Sequence, residues 1–192
     1  MPGKNNVKKT GINQEQQWIA AAQKDPSEFK QLFCKYYNRI FNYALRRTGD
    51  VSMADDIAAN TFFNALAKIK KFQWRGVSFS AWLFRIATNE INQLYRKSKH
   101  LIPLNPEIEA HLIYDRSSDS ALLEVEEAVA RNEKFKQVHA AIVTLKLKYQ
   151  TALILRYMEE KSIKEIAEIL DISENTVKTH IRRGLIQLKE RL

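Results

Sequence analysis

The side chains best suited to chemistry lie close together near the C-terminus: Asn175, Thr176, Lys178, Thr179, Arg182 and Arg183. On a helix, Asn175, Lys178, Thr179 and Arg182 fall within an arc of about 100°. Asn and Arg can read base edges with paired hydrogen bonds, while Lys and Thr can hold phosphates. A second set, Arg85, Asn89, Asn92 and Arg96, recurs at steps of four, three and four and makes a narrow polar stripe. The loop before it offers Trp74 and Arg75. Arg and Asn beside exposed aromatics suit single-stranded DNA, whose unpaired bases stack and flip into pockets. Trp74 is expected to be exposed, whereas Trp82 reads as a core aromatic. Both sets are chemistries of recognition. The nearest approach to a catalytic carboxylate cluster, Asp55-Asp56, stands without a partner. His100, His111, His139 and His180 are scattered without ligand spacing, so no metal and no cofactor is expected.

The elements that position the first set can be built from local physics. Ser162 with Glu165 forms a capping box, in which the hydroxyl takes a first-turn amide and the carboxylate reaches back. Ile163, Ile166, Ala167 and Leu170 follow at helical spacing, Asp171-Ile172 breaks the pattern, and Ser173 can cap a second helix. There Val177, Ile181, Leu185, Leu188 and Leu192 form the expected buried stripe, opposite the polar set. Two short capped helices with a basic face on the second make a helix-turn-helix, whose second helix enters the DNA major groove. Asp171 occupies the turn where a glycine would fit more easily, and Ile186 falls on the polar face.

Apolar residues are spaced by three and four nearly everywhere, which predicts an all-α chain. Residues 1–13 are expected to be a disordered tail, with the first helix starting near Asn13. Further helices are expected from Asp25-Pro26-Ser27 to Thr48, from about Ser52 to Phe72 and from about Ser80 to Lys97. Pro103, Asn105, Pro106 and the Ser117–Ser120 cluster make 101–120 a linker. The layout is therefore a helical domain at 14–100, a flexible acidic linker at 101–120, and a second helical domain at 121–192.

Charge follows this organisation. The net charge is +9. Residues 25–100 carry 13 basic and 6 acidic side chains, 101–130 carry 1 and 7, and 131–192 carry 13 and 8. Basic blocks of this size suit a polyanion such as nucleic acid. The single cysteine, Cys34, excludes an intrachain disulfide and is expected to be a small buried apolar residue. No secretory signal and no membrane-spanning run is legible, so a cytoplasmic protein without membrane insertion is expected.

Three stretches, DDIAANTFFNAL (55–66), FSAWLFRIATNEINQLYRK (79–97) and YQTALILRYMEEKSIKEIAEILDISENTVKTHIRRGLIQL (149–188), resemble bacterial RNA polymerase sigma factors of the extracytoplasmic-function (ECF) class. The resemblance covers about residues 24–97 and 131–192. It implies a non-enzymatic promoter-specificity factor with two domains. The first would dock on the β′ subunit of core RNA polymerase and melt and read the −10 element. The second would read the −35 element and touch the β subunit. By position, Asp55, Asp56 and Asn60 would contact core polymerase. Trp74, Arg75, Arg85, Asn89 and Arg96 would engage the melted −10 strand. Asn175, Thr176, Lys178, Thr179, Arg182 and Arg183 would engage the −35 duplex. An anti-sigma factor is a further implied partner. The chain departs from the family at Ala59-Asn60, where Gln-Glu is usual, and at Leu145-Lys146, where Leu-Pro is usual. A LuxR-like helix-turn-helix regulator would share only the C-terminal module.

Overall fold

The computed structural model of the protein describes residues 4–74, 78–97, 137–138 and 140–192, all helical or connecting. The expected linker at 101–120, and the acidic segment around it, lie outside the described residues. So do Arg75 and the boundary near residue 121.

Helix α1 spans Lys4–Lys24. It begins well before the expected start near Asn13, a correction to the tail expected at 1–13. After Pro2 and Gly3 no proline interrupts the segment, and Gly11 alone weakens helix propensity without stopping the helix. Asp25 then accepts from the Ser27 amide at 2.9 Å and caps a 3-10 turn, Pro26–Phe29, that leads into α2, Lys30–Thr48. Gly49 ends α2 in the left-handed region at φ 68°, where glycine carries no Cβ penalty. Asp50 caps α3, Val51–Lys68, by accepting from the Met53 amide at 2.8 Å. A 3-10 turn, Ile69–Lys71, closes α3, and α4 spans Phe79–Lys97.

Helices α2, α3 and α4 pack together around Leu32, Ile40, Tyr43, Phe84 and Ile91. Helix α1 is fastened to them by polar clips. The Gln23 amide donates to the carbonyls of Ile69 (3.1 Å) and Phe72 (2.8 Å), and Glu15 accepts from Lys35 (2.8 Å) and from the Tyr36 hydroxyl. Burial and the bond to Glu15 push the Tyr36 hydroxyl far above the usual tyrosine range. Cys34 is exposed, contrary to the burial expected of it. Leu32, Tyr36 and Ile40 define the inner face of α2, and position 34 falls opposite them.

In the second half, helical residues 140–143 lead through Leu145 to α5, Leu147–Leu153. The expected helix through Ala152–Tyr157 continues as a π turn, Ile154–Met158. Lys146 precedes α5 with φ −56° and ψ 137°, close to the φ that a proline imposes. Then come α6, Ile163–Leu170, and α7, Glu174–Lys189.

The two halves touch. Helix α4 packs against α6, and polar pairs among the described residues cross between the halves. They are Arg46 to Glu159 at 2.6 Å, Arg47 to Thr151 at 2.5 Å, Lys161 to Ser80 at 2.7 Å and Arg85 to Asp171 at 2.8 Å.

Candidate nucleic-acid interface

The α6–α7 pair is assembled as the local chemistry requires. Ser162 accepts from the Glu165 amide at 3.2 Å while the Glu165 carboxylate accepts from the Ser162 amide at 3.0 Å. Two of the orphan donors at the start of α6 are thereby satisfied. Asp171 takes the left-handed conformation, φ 57° and ψ 46°, and makes the tight turn without a glycine. Ser173 accepts from the Thr176 amide at 3.2 Å and caps α7.

The buried side of α7 is Val177, Ile181, Gly184 and Leu188. This corrects the expected stripe at two positions: Leu185 and Leu192 are exposed. Leu192 lies past the end of α7 at Lys189, and Leu185 is displaced by the close approach of α5. A Cβ at Gly184 would stand 3.0 Å from Leu153 Cδ1 and 3.3 Å from Tyr149 Cβ, so the helices meet over Gly184 and leave Leu185 on the rim. Ile186 is exposed on the polar side, as its position requires.

Opposite this seam, Asn175, Lys178, Thr179, Arg182 and Arg183 are all exposed. The Thr179 hydroxyl donates to its own helix at the Asn175 carbonyl, 2.9 Å away. Thr176 is half-buried, and its hydroxyl lies 2.9 Å from that of Ser173, within the cap. His180 borders the face. Its ring meets the Tyr149 ring edge-on at 5.7 Å, and its Nδ1 is buried with no partner among the described residues. Burial, then the charges of Lys148 and Arg183, hold its pKa below the usual histidine value.

The stripe on α4 is present. Asn89 and Arg96 are exposed, and Arg96 Nε donates to the Asn92 carbonyl at 3.3 Å. Trp74 is 39% exposed and stands edge-on to Phe72 at 6.3 Å. Trp82 is half-buried against Phe72 and Phe79, at ring distances of 4.9 and 5.4 Å, in keeping with its reading as a core aromatic. Arg85 shares this surface, but its guanidinium is engaged by Asp171 of the helix-turn-helix turn. A cleft of about 380 Å³ opens beside it, lined by Lys71, Phe72, Gln73, Trp82 and Arg85 from the first half and by Glu168 from α6.

On α3, Asp55, Asp56 and Asn60 are all exposed. The Tyr37 hydroxyl donates to Asp55 at 2.6 Å, and burial, reinforced by this bond, pushes its pKa up to about 12. Sequence reasoning missed Phe63, which is 72% exposed on the same helix. Its position three residues past Asn60 and seven past Asp56 places an aromatic on a polar face, and that spacing was the available signal. Phe33, also exposed, packs on Phe62 and Tyr37 beside it.

Such a pairing, a helical domain with a polar–aromatic stripe followed by a helix-turn-helix, matches one protein class along its length. The sigma-70 region 2 family model matches residues 32–100, and the sigma-70 region 4 family model matches residues 135–188. The chain is 35% identical to the ECF RNA polymerase sigma factor SigW of Bacillus subtilis, over 88% of this chain and 90% of that one. It is 31% identical to the RNA polymerase sigma factor YlaC of the same organism, over 88% and 94%. Among solved structures, CnrH in complex with the cytosolic domain of CnrY has the same fold, with a TM-score of 0.62 at 22% identity, covering 90% of this chain and 93% of that one. The protein belongs to the ECF class of the sigma-70 family and is a promoter-specificity factor for RNA polymerase. The LuxR-like alternative is not favoured, because region 2 occupies the first half.

Proposed function

We propose that this sigma factor reads its promoter at two separate surfaces and docks on core polymerase through a third. The exposed arc of α7 enters the −35 major groove, where Asn175 and Arg182 read base edges and Lys178, Thr179 and Arg183 hold phosphates. Thr176 acts from the helix N-terminus, where its hydroxyl closes the cap that aims the helix. The loop carrying Trp74 and Arg75, with Arg85, Asn89 and Arg96 on α4, captures the unpaired −10 strand. Asp55, Asp56 and Asn60, with Phe63 beside them, meet the β′ subunit of core polymerase, and the second domain meets β.

The first domain carries α1 and runs to residue 100, the second covers 121–192, and 101–120 is the tether. The protein supplies recognition and melting energy and no bond chemistry of its own. It uses no cofactor and works in the cytoplasm. Among the described residues no helix is long and apolar enough to cross a membrane. An anti-sigma factor is a further partner. One of the solved structures similar to this chain is the sigma factor RpoE in complex with the anti-sigma factor NepR from Bartonella quintana.

The observation that carries this reading is the α7 face: polar, basic and exposed on one side, and seated on a solid core on the other. Run-off transcription with purified core polymerase on genomic fragments tests it. Discrete transcripts that require this protein are expected. Tight, specific duplex binding without polymerase at physiological salt, and no transcripts, would replace this reading with an ordinary repressor or activator.

A further inference from the structure

Helix α7 meets solvent along an edge as well as along its outward arc. Thr176, His180 and Arg183 recur at steps of four and three and share one side of the helix. That side is the one toward α5, where the His180 ring meets Tyr149 edge-on at 5.7 Å. Lys148, exposed on α5, holds its ammonium 5.2 Å from the centre of the same Tyr149 ring. The charges that act on His180 are both positive: Lys148 from α5 and Arg183 from its own helix. Neither cation is paired with a carboxylate among the described residues. Like charges gathered in this way repel one another unless an anion lies between them.

The histidine between them is held in one form. Its Nδ1 is buried with no partner among the described residues. Burial and the two cations hold its pKa below the usual histidine value, so the imidazole is neutral at pH above about 7. A neutral imidazole has one N–H to place. On Nδ1 it would be a buried donor without an acceptor, a costly arrangement. On Nε2, the nitrogen left to face outward, it is a donor aimed at solvent between two cations. A phosphate oxygen satisfies all three groups at once.

A helix lying in the major groove, about 12 Å wide, has a row of phosphates along each side, so its centre meets bases and its edges meet backbone. We propose that Lys148, His180 and Arg183 form a phosphate seat, in which the His180 Nε2–H donates to a backbone phosphate of one DNA strand while Lys148 and Arg183 supply the charge. The seat reads no base. It fixes the rotation of α7 against that strand, which makes His180 a positioning residue and brings α5, outside the helix-turn-helix, into duplex binding. This rests on the insertion of α7 into the duplex given under Proposed function. The three groups differ in a measurable way: cations displace counterions from the duplex and set the salt dependence of binding, whereas an uncharged donor does not.

The test uses the full chain and a fluorescein-labelled random-sequence duplex of about two helical turns, because phosphate contacts are independent of sequence. Anisotropy is titrated between about 25 and 150 mM sodium chloride at neutral pH. His180→Phe keeps a ring against Tyr149 and removes both nitrogens. His180→Gln restores an uncharged donor. Lys148→Gln removes one cation from an exposed position. Lys30→Gln, exposed at the start of α2 in the first domain, controls for the lost positive charge. A denaturant midpoint is measured for each variant.

His180→Phe should bind the duplex about five- to tenfold more weakly with the salt slope of the parent, and its midpoint should equal or exceed the parent's because a buried unpaired nitrogen is gone. A merely structural histidine would leave affinity untouched in this variant. His180→Gln should recover most of the loss. Lys148→Gln should lower the salt slope by about 1, and Lys30→Gln should not. Parental affinity in a folded His180→Phe, a parental slope in Lys148→Gln, or an equal fall in Lys30→Gln overturns the seat. Lys148 is exposed, so its slope decides the case even if His180→Phe is destabilised. Arg182→Ala on the same duplex reads the insertion of α7 separately. Weakened binding there, with parental behaviour in the Lys148 and His180 variants, removes the seat and leaves the α7 reading standing. Parental binding by all of them removes that reading too.

Discussion

Arg182 and Ile181 are neighbours in the chain and opposites in what they do. Arg182 is exposed on the arc proposed to face DNA, and Ile181 is buried against the second-domain core. Arg182→Ala should lower −35-dependent transcription by an amount corresponding to about 1–3 kcal/mol of lost contact, with helix content unchanged. Ile181→Ala should instead cost roughly 2–5 kcal/mol of domain stability, visible in a denaturant melt. If Arg182→Ala left promoter use unaltered, the DNA-facing side of α7 would be misplaced. His180 adds a pH dependence. Its folded-state pKa lies below the unperturbed 6.5, so the unfolded chain takes up the proton first as pH falls. The stability it contributes is complete above about pH 6.5 and is lost as pH drops toward the lower folded value. Thermal melts at pH 7.5 and 5.5 should show a smaller acid-induced drop for His180→Gln than for the parent. Equal drops would mean that His180 is not desolvated.

At the scale of elements, Gly184 and Lys146 carry the clearest expectations. The seam between α5 and α7 is tight at Gly184, where a Cβ would stand 3.0 Å from Leu153 Cδ1 and the leucine would have to give. Gly184→Val should lower stability by about 1–3 kcal/mol through overpacking, as read by a denaturant midpoint. Lys146 already holds φ −56°, so Lys146→Pro should raise stability by about 0.4–1 kcal/mol by restricting the unfolded chain. Both positions bear on what could be read in advance. The capping box at Ser162–Glu165 and the cap at Ser173 were legible because caps are local chemistry. Leu192 falls outside the inner face because α7 ends at Lys189, and Leu185 because hydrophobicity alone cannot tell a core leucine from one on the rim of a tight helix crossing. There the smallest residue marks the contact. Cys34 was misjudged for a similar reason, since residue type was weighed above its place opposite Leu32 and Tyr36.

For the whole molecule, promoter opening is the property to measure. Trp74→Ala or Asn89→Ala should impair open-complex formation more than closed-complex binding, because both side chains are proposed to act once bases are unpaired, where stacking contributes on the order of 1–3 kcal/mol per base. A premelted template should restore much of the loss. Equal defects on premelted and duplex templates would remove Trp74 and Asn89 from the melting step. The division into two helical domains followed from periodicity and from the proline and serine breaks. The contact between the domains did not, because Arg46–Glu159 and Arg47–Thr151 join residues 113 and 104 positions apart, and no local pattern encodes such pairs.

Asp171 fulfils two requirements that few residues can meet together. Its backbone is left-handed, which Gly, Asn and Asp tolerate and other side chains resist, and its carboxylate holds Arg85. Glycine would relax the turn and asparagine would keep its shape, but neither supplies the charge. A library randomised at this codon should therefore divide according to the selection applied. Selection for a folded second domain alone should admit Gly and Asn beside Asp, the residues that accept the turn. Selection for stability of the full chain should favour Asp only to the extent that the exposed pair with Arg85 contributes. Deep sequencing of the two pools would show whether one position is held by the shape of a turn or by a charge reaching another helix.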